Sequence, residues 1–354
     1  MIKVPFFSPG REFKLHEAEY TNAWKDVRKR GDLILRKDVE EFEANFAKYV
    51  GTKYAIGLNS GTDALLVALK AIGIGEGDKV LVPSHTFVAT AQVVAQLGAI
   101  PVMYDLAPDL TRILATGNYQ AIMVAHIAGE FSFDMKSLFD ELYEYGIPVI
   151  EDACQALGAI QDGKKAGSFG KVGAFSFYPA KILGGPGDGG ALVTNDEEVY
   201  KFALDYRNHW KSDFSKWGIN SRLDNVIASE LLLKLKRLPK TLKRRAQIAK
   251  MYLKGIEGKD ILPIDIKGRV WQDFIIKCID NKQREKLYSW LKHRGVETMR
   301  NEYPMPCGKL SNAKNYEERT LRLPINEVLT DKEVNYVIKC VNDFYDAEEN
   351  QTIF

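Results

Sequence analysis

The chain is predicted to have an α/β fold, in which a large domain with a mostly parallel sheet flanked by helices precedes a smaller C-terminal α+β domain. From about residue 36, short apolar stretches of strand length alternate with amphipathic helical stretches, as in parallel sheets covered by helices. This alternation stops near residue 238. The length of 354 residues also exceeds what one hydrophobic core usually holds, so two domains are expected.

Helix and strand patterns follow one another in the first part of the chain. Residues 39–47 carry apolar side chains at helical spacing and predict an amphipathic helix. Residues 54–58 have the composition of a buried strand, and residues 60–63 offer N-cap side chains to a helix over 64–70. Further buried strands are predicted at 79–82, 121–125, 147–150 and 191–194.

The pattern changes in the last third of the chain. A helix is predicted over 226–238 and ends at Pro239, because proline lacks a backbone N–H and its ring clashes with the preceding turn. A basic helix then continues to Tyr252. We therefore expect a large domain over 1–238 and a small domain over 239–354. The clearest elements of the small domain are predicted at 271–279, 284–293 and 334–345.

Composition and charge exclude several classes of partner. Apolar residues make up 45% of the chain and charged residues 27%, which is ordinary for a soluble globular protein. The 49 Lys and Arg nearly balance the 47 Asp and Glu, so neither nucleic acid nor an anionic membrane is an expected partner. The basic residues between 234 and 245 are expected to form a solvated helix face rather than a binding patch.

The cysteines and the apolar segments predict a cytoplasmic protein without a metal site or a membrane anchor. The four cysteines lie far apart and form no C-x-x-C pair, so neither a zinc site nor a disulfide framework is indicated. The N-terminal apolar stretch is too short for a signal-peptide core, and no segment approaches the roughly 20 apolar residues of a membrane span. Reduced thiols in a cytoplasm fit these observations best.

Three groups of polar residues follow predicted strands, which is where α/β sheets bind ligands. Ser60, Gly61 and Thr62 lie between a strand and the start of a helix, where backbone N–H groups and the helix dipole favour a phosphate. An acidic pair that ends in Asp152 closes another strand. Lys181 lies at the mouth of a glycine-dense loop that follows a third strand. The carboxyl ends of these strands are expected to meet at one edge of the sheet.

Together these groups meet the requirements of pyridoxal 5′-phosphate. The amine of Lys181 is suited to form a Schiff base with the cofactor aldehyde. An acid of the pair Glu151 and Asp152 is suited to keep the pyridine nitrogen protonated, so that the ring accepts electrons. The helix terminus would anchor the phosphate. The sequence therefore predicts this cofactor, and transamination is the reaction that follows from it.

A series of short motifs runs in order along almost the whole chain. They are FE at 42–43, SGTDAL at 60–65, GEGDKV at 75–80, TFVAT at 86–90, EDACQA at 151–156, SFYPAK at 176–181, GDGG at 187–190 and GINSR at 218–222. In this order the motifs resemble the DegT/StrS-type nucleotide-sugar aminotransferases, a fold-type-I pyridoxal-phosphate family. The resemblance implies the fold-type-I aminotransferase fold for the predicted large and small domains.

The resemblance also implies roles for residues around the cofactor ring. Lys181 would carry the Schiff base, and Asp152 would pair with the pyridinium nitrogen. Gln155 would approach the ring hydroxyl, and Phe87 would stack on the ring.

Further roles implied by the resemblance concern the cofactor phosphate. Gly61 and Thr62 would give it backbone amides, and Ser176 would give it a hydroxyl. Asn220 would reach the same phosphate from a neighbouring subunit. That last role implies a homodimer with shared active sites.

An activity follows from the same resemblance. Family members usually move the amino group of L-glutamate to a keto group of a nucleotide-linked sugar, which gives a nucleotide amino sugar and 2-oxoglutarate with ping-pong kinetics. The stretch 218–224 looks like the variant of enzymes that act on 3-keto sugars, with a 4-keto sugar as the alternative. Two residues depart from the family pattern. Glu302 replaces the usual histidine near the sugar-nucleotide site, and Cys154 replaces the commoner alanine.

Other functions are less well supported by the residues. The stretch 158–165 matches G-x-x-x-x-G-K but ends in Lys where a P-loop needs Ser or Thr, and the resemblance makes it a surface hairpin. A pyridoxal-phosphate sugar dehydratase would carry histidine in place of Lys181. A catalytically silent binding or regulatory homologue would be expected to lose Lys181 or Asp152. His85 and His126 receive no role, because a hydrogen-bonded structural histidine is the more frequent case.

Overall fold

The computed structural model describes residues 3–257 and 268–349. The helices are α1 (Pro9–Arg30), α2 (Lys37–Val50), α3 (Gly61–Ala71), α4 (Ala89–Gln96), α5 (Leu110–Ala115), α6 (Met135–Leu142), α7 (Glu197–Tyr206), α8 (Asn225–Gly255), α9 (Asn281–His293), α10 (Ser311–Arg319) and α11 (Asp331–Glu349). The strands are β1 (Tyr54–Leu58), β2 (Lys79–Pro83), β3 (Ile100–Tyr104), β4 (Ala121–Ala125), β5 (Val149–Asp152), β6 (Ile160–Gln161), β7 (Lys164–Lys165), β8 (Val172–Ser176), β9 (Gly190–Thr194), β10 (Phe274–Lys277), β11 (Met299–Arg300) and β12 (Thr320–Leu323). Within the two described ranges, every helix is too short or too polar to serve as a transmembrane span.

Seven strands form the central sheet, in the order β1-β9-β8-β5-β4-β2-β3. The pairs β2–β3, β2–β4, β4–β5 and β5–β8 are parallel, and β9 runs antiparallel to both of its neighbours. The sheet is therefore mostly parallel, as predicted. The carboxyl ends of β4, β5 and β8 meet at one edge, because these three strands are parallel neighbours.

Helices cover both faces of this sheet, because successive strand residues point to opposite sides. In β9, Leu192 packs into the core formed with α3, α4 and α7, whereas Ala191 and Val193 pack into the core formed with α2 and α8. The second core includes an edge-on pair of Phe46 and Phe175, whose ring centroids lie 5.1 Å apart. The predicted layer of helices on each side of the sheet is confirmed.

The short hairpin and the edge strand of the central sheet differ in how well the sequence predicted them. The surface hairpin expected over 158–165 is present as the antiparallel pair β6–β7. Strand β3 is absent from the predicted strands. It contains Pro101, and an internal proline argues against a central strand. β3 is the edge of the sheet and pairs only with β2, which is the position where a strand tolerates proline.

Helix α8 corrects the expectation that Pro239 ends a helix. The helix runs without interruption over 31 residues and contains Pro239. Leu235 and Leu238 before the proline are buried, as are Ile248 and Tyr252 after it. Burial on both sides offsets the lost backbone hydrogen bond, because most helix stability in proteins comes from tertiary packing. The division into domains at 238 and 239 falls inside this helix and stays a prediction.

The C-terminal part has its own small sheet and core. Its strands form the antiparallel order β10-β12-β11. The core joins Tyr252 of α8, Phe274 of β10 and Leu287 of α9. Val4 enters the same core through a parallel bridge to Val296. The first described residues therefore pack against the C-terminal part of the chain.

Four of the seven basic residues between 234 and 245 are paired with acids, so the expectation of a solvated helix face holds only for the exposed Lys236, Lys240 and Lys243. Four cations of α8 contact acids of other segments. The pairs are Lys234–Glu12 at 3.2 Å, Arg237–Glu19 at 2.5 Å, Arg244–Asp331 at 2.8 Å and Arg245–Glu327 at 3.2 Å. These ion pairs connect α8 to α1 and to the C-terminal part of the chain.

Replacing Pro239 with alanine is expected to stabilise the protein. Proline in a helix interior costs about 3 kcal/mol relative to alanine, so we expect the free energy of unfolding to rise by about 1–3 kcal/mol. Urea unfolding followed by far-UV circular dichroism measures the change. Lys243→Ala, at an exposed position of the same helix, is the control and should change stability by less than about 0.5 kcal/mol. A less stable Pro239→Ala protein would show that packing of α8 requires the proline.

Candidate active site

A cavity of about 800 Å³ lies at the carboxyl ends of the parallel strands. This volume is in the range of small-molecule sites and accommodates a cofactor together with a substrate. Residues of the C-terminal part form the wall opposite the strand ends. Seven of the eight predicted site residues line the cavity, namely Gly61, Thr62, Phe87, Asp152, Gln155, Ser176 and Lys181. The eighth, Asn220, lies outside it.

The two adjacent acids at the end of β5 point to opposite faces of the sheet. Asp152 lines the cavity. Glu151 is fully buried on the other face, where its carboxylate accepts three backbone N–H groups of the segment 167–170 at 2.6–2.7 Å. It also pairs with His126 Nε2 at 3.0 Å. Asp152 is therefore the acid available to a cofactor, whereas Glu151 and His126 hold the loop before β8.

Hydrogen bonds fix the position of the Asp152 carboxylate. Its Oδ2 accepts the Thr90 hydroxyl at 2.8 Å, and its Oδ1 accepts the backbone N–H of Cys154 at 3.2 Å. The hydroxyl of Thr86 lies 2.7 Å from that of Thr90, one helical turn away. Sequence reasoning assigned no role to these two threonines, although a spacing of four residues across the start of α4 is a signal for such a pair. The carboxylate is thus oriented before any ligand binds.

The N-terminus of α3 presents unused backbone donors to the cavity. The Ser60 side chain caps the helix by accepting the N–H of Asp63 at 3.0 Å. The N–H groups of Gly61 and Thr62 donate to no atom within the described part of the chain, and both residues line the cavity. These donors and the positive end of the helix dipole form an anion site.

Two glycines allow neighbouring segments of the chain to pack closely against the N-terminus of α3. A Cβ atom on Gly190 would lie 2.2 Å from the carbonyl carbon of Ser60. A Cβ atom on Gly61 would lie 2.7 Å from Cys154 Sγ and 2.9 Å from Ser176 Cβ. Any side chain at either position would displace the start of α3, so the anion site depends on both glycines.

The loop that carries Lys181 is held at both ends by backbone hydrogen bonds. The N–H of Phe177 donates to Gly189 at 2.7 Å, and the N–H of Gly185 donates to the carbonyl of Phe177 at 2.7 Å. A Cβ atom on Gly184 would lie 2.2 Å from the carbonyl oxygen of Pro179, so this turn requires glycine. The closed loop fixes the backbone of Lys181, whose side chain lines the cavity.

Gln155 connects the strand ends to the C-terminal wall. Its Oε1 accepts the N–H of Ala128 at 2.9 Å, and its Nε2 donates to the Tyr303 hydroxyl at 3.2 Å. Burial raises the pKa of Tyr303 to about 12, so the phenol stays protonated near neutral pH. His85, which had no predicted role, packs edge-on against the Tyr303 ring and pairs with Glu317 at 2.8 Å. Both histidines are thus hydrogen-bonded structural side chains.

Cys154 lies beside the predicted catalytic pair. Burial raises the pKa of its thiol well above the usual value, and the Asp152 carboxylate raises it further, whereas Lys181 lowers it. The thiol therefore stays protonated and is a poor nucleophile. It does not compete with the amine of Lys181 for an aldehyde.

Phe87 and Asn220 are both exposed in a single chain. Phe87 is 55% exposed at the edge of the cavity, which leaves ring surface available for a stacked ligand. The backbone carbonyl of Asn220 accepts Asn59 Nδ2 at 3.2 Å. The individual roles expected for these and the other site residues stay predictions.

Comparison with known proteins identifies the family. Residues 14–342 match the sequence model of the DegT/DnrJ/EryC1/StrS aminotransferase family. The chain belongs to this family. The dTDP-3-amino-3,6-dideoxy-alpha-D-galactopyranose transaminase of Aneurinibacillus thermoaerophilus is 36% identical to it over 96% of this chain and 99% of that protein.

Solved structures agree with this family assignment. DesV of Streptomyces venezuelae, in complex with a ketimine intermediate, has a TM-score of 0.90 and 34% identity, and the match covers 97% of this chain and 99% of DesV. NtdA of Bacillus subtilis, with bound cofactor PMP, has a TM-score of 0.89 and 26% identity, and the match covers 98% of this chain and 86% of NtdA. The protein is a pyridoxal-phosphate-dependent aminotransferase with the fold-type-I architecture.

The cavity fits this cofactor in three respects. The bare N-terminus of α3 offers amides to a phosphate, and the Asp152 carboxylate is held in place for a ring nitrogen. Lys181 lies on the same cavity from a separate loop. These are the three chemically distinct groups that a phosphorylated pyridine aldehyde requires.

Removing the hydroxyl of Thr90 is expected to impair the site without unfolding the protein. Thr90→Val keeps the shape of the side chain but leaves Asp152 Oδ2 without its donor, which costs about 1–3 kcal/mol. We expect the affinity for pyridoxal phosphate, or the turnover at saturating cofactor, to fall about 5- to 100-fold by the same principle. Thr116→Val, at an exposed helix end, is the matched control. Unchanged cofactor affinity and turnover in Thr90→Val would contradict the orienting role.

Proposed function

We propose that this aminotransferase moves the amino group of L-glutamate to the C3 keto group of a nucleotide-linked sugar and releases 2-oxoglutarate. The observation that carries the proposal is the placement of Lys181, Asp152, Gly61 and Thr62 on one cavity. The family assignment supports amino transfer, and the name of the Aneurinibacillus relative supports a nucleotide sugar aminated at C3. A 4-keto sugar is the alternative acceptor.

In this proposal the chain's own groups have separate tasks. When bound, pyridoxal phosphate supplies an electron-accepting ring, which eases proton removal from the donor α-carbon. Lys181 would hold the cofactor at its aldehyde carbon and would move a proton at the donor α-carbon. Asp152 holds a proton on the pyridine nitrogen. Gln155 approaches the ring hydroxyl. Because the first product leaves before the sugar binds, the kinetics should be ping-pong.

We also propose a homodimer with shared active sites. Asn220 does not line the cavity of its own chain, although the resemblance gives it a phosphate contact. Phe214 and Trp217 in the same segment are 84% and 93% exposed, and Phe87 and Tyr178 at the cavity edge are more than half exposed. Large exposed apolar side chains are typical of contact surfaces. A second copy that covers them would bring its own Asn220 to the phosphate site.

Glu302 adds a carboxylate to the proposed sugar side of the cavity. Its Oε1 accepts Arg284 Nη1 at 2.7 Å, and its side chain remains 44% exposed. The resemblance places the usual histidine of the family here. A carboxylate accepts hydrogen bonds from sugar hydroxyls and disfavours an anionic group beside it. Glu302 is therefore proposed to shift the preference for substrate charge.

The activity is tested with L-glutamate and a panel of UDP-, dTDP- and GDP-linked 3-keto and 4-keto sugars. We expect 2-oxoglutarate and a 3-amino sugar as products, identified by mass spectrometry. Lys181→Ala should lower turnover about 1,000-fold, because it removes the proton-transfer group. Lys171→Ala, a surface lysine paired with Asp196, should retain wild-type turnover. Wild-type turnover by Lys181→Ala would refute the assigned role, and absence of amino transfer with every sugar would refute the function.

The shared active site is tested by mixing two inactive variants. Lys181→Ala subunits supply an intact Asn220, and Asn220→Ala subunits supply an intact Lys181. At a cofactor concentration too low to saturate Asn220→Ala, each variant alone should be nearly inactive. Unfolding and refolding an equal mixture should restore about a quarter of the wild-type activity, since half of the dimers are mixed and each holds one complete site. No gain over the separate variants would contradict a site shared through Asn220.

A further inference from the structure

The backbone on both sides of Lys181 is held by a side chain rather than by other backbone groups. The N–H of Lys181 itself donates to the carbonyl of Tyr178 at 2.8 Å. In the part of the chain that the structure describes, no backbone group bonds to the carbonyl of Ala180 or to the N–H of Ile182. Ile182 is buried, so its N–H needs an acceptor within the protein.

Gln272, which lies two residues before β10, supplies both missing partners. Its Nε2 donates to the carbonyl of Ala180 at 3.1 Å, and its Oε1 accepts the N–H of Ile182 at 3.2 Å. The side-chain amide thus bonds to the residue before Lys181 and to the residue after it. A primary amide combines a donor and an acceptor in one plane, so it takes the place of a neighbouring peptide group.

The position of Gln272 is itself fixed by the long helix α8. Arg245 Nη1 of this helix donates to the carbonyls of Trp271 and Gln272 at 3.1 and 3.3 Å, and to the carbonyl of Ile325 at 2.6 Å. Both Arg245 and Gln272 are buried. A buried guanidinium must keep its acceptors, so it restrains the backbone that supplies them. The amide of Gln272 therefore meets the Lys181 loop from a restrained segment of the C-terminal part.

We propose that Gln272 is a positioning residue for Lys181. A lysine side chain has several rotatable bonds, so the place that its amine reaches depends on where its backbone is held. A displacement of a reacting group by about 1 Å costs about 100-fold in rate. By holding both neighbours of Lys181, Gln272 fixes the backbone from which the amine extends toward the end of β5. Gln272 also lines the cavity, but this role acts through the loop backbone and requires no contact with a substrate.

The same two hydrogen bonds make the reactivity of Lys181 depend on the C-terminal part of the chain. Lys181 belongs to the connection between β8 and β9, whereas Gln272 belongs to the wall opposite the strand ends. The distance between this wall and the lysine backbone is therefore set by direct bonds. The inference rests on the proposed function, because it takes the amine of Lys181 as the group that reacts with the cofactor.

Two variants of Gln272 remove its hydrogen bonds in different combinations. Gln272→Met keeps the length of the side chain but has neither donor nor acceptor, so both bonds are lost. Gln272→Glu retains an acceptor for the N–H of Ile182 and loses the donor to the carbonyl of Ala180. Both variants leave the backbone bonds that close the loop in place, and circular dichroism checks that each protein is folded.

Gln161 of β6 provides a matched control. Its Oε1 accepts the N–H of Met135 at 2.7 Å, and its Nε2 donates to the carbonyl of Phe133 at 3.3 Å. Its amide therefore bonds on either side of one residue, as that of Gln272 does, but Gln161 lies outside the cavity. Gln161→Met should leave the Lys181 loop and its reactivity unchanged.

Two measurements separate the hold on the backbone from its effect on the amine. Hydrogen–deuterium exchange of the cofactor-loaded protein reports on the N–H of Ile182, which should exchange about 2- to 10-fold faster in Gln272→Met and at the wild-type rate in Gln272→Glu. The second measurement follows how fast the full chain, after removal of its cofactor, binds pyridoxal phosphate covalently, with borohydride trapping and peptide mass mapping. This rate should fall about 5- to 100-fold in Gln272→Met and by a smaller factor in Gln272→Glu. The KM for the keto sugar should not change, because the sugar is not the group that is displaced.

Each outcome supports or overturns the proposal. Faster exchange at Ile182 together with slower covalent binding would support it. Unchanged exchange in Gln272→Met, faster exchange with unchanged covalent binding, or a loss confined to the KM for the sugar would overturn it. Equal slowing by Gln161→Met would also overturn it, since the effect would then be one of general stability. A borohydride label on another lysine would overturn the proposal together with the role of Lys181. Absence of amino transfer to every keto sugar would refute the proposed function and would leave the support from both measurements intact.

Discussion

The candidate site depends on one buried carboxylate held at the end of a central strand. Asp152 ends β5, which lies between β4 and β8. Its oxygens accept a hydroxyl from the first turn of α4 and the backbone N–H of the residue two positions later. A buried carboxylate is stable only when its acceptors are satisfied. The hydrogen bonds that satisfy it also aim it at the cavity. The anion site at α3 follows β1, and the loop of Lys181 connects β8 to β9. The pairing of these strands with one another therefore determines how the anion site, Lys181 and Asp152 are placed around the cavity.

The alternation of side chains along β5 gives two neighbouring acids opposite tasks. Asp152 faces the ligand, whereas Glu151 is buried on the other side among backbone donors of the segment that leads into β8. That segment precedes the strand that positions Ser176 at the cavity. One acid therefore supports the framework, and the other faces the cavity. Sequence position alone did not separate these roles, because both acids end the same strand and only the period of two distinguishes them.

Features fixed by local chemistry were predictable, and features fixed by distant partners were not. The N-cap at Ser60 and the strand at 54–58 follow from short-range preferences, and the structure contains both. Pro239 was expected to end a helix, but burial of α8 on both sides of it outweighs the lost hydrogen bond. The pairing of the α8 cations depends on α1 and on the C-terminal segment, which are far away in sequence. The burial of Arg322 in the cavity wall has no local signal, since an arginine in a strand is usually exposed.

Tyr303 connects the C-terminal wall of the cavity to the strand-end residue Gln155. Its hydroxyl bonds to Gln155 on the floor, and its ring carries Arg322 on one face and meets His85 at an edge. Since burial keeps the phenol protonated, this connection holds without a change of charge across the neutral pH range. Glu302 and Arg322 lie on the wall beyond the ring and contact none of the groups that orient Asp152. The charges on that wall can therefore differ without removing a hydrogen bond that holds Asp152.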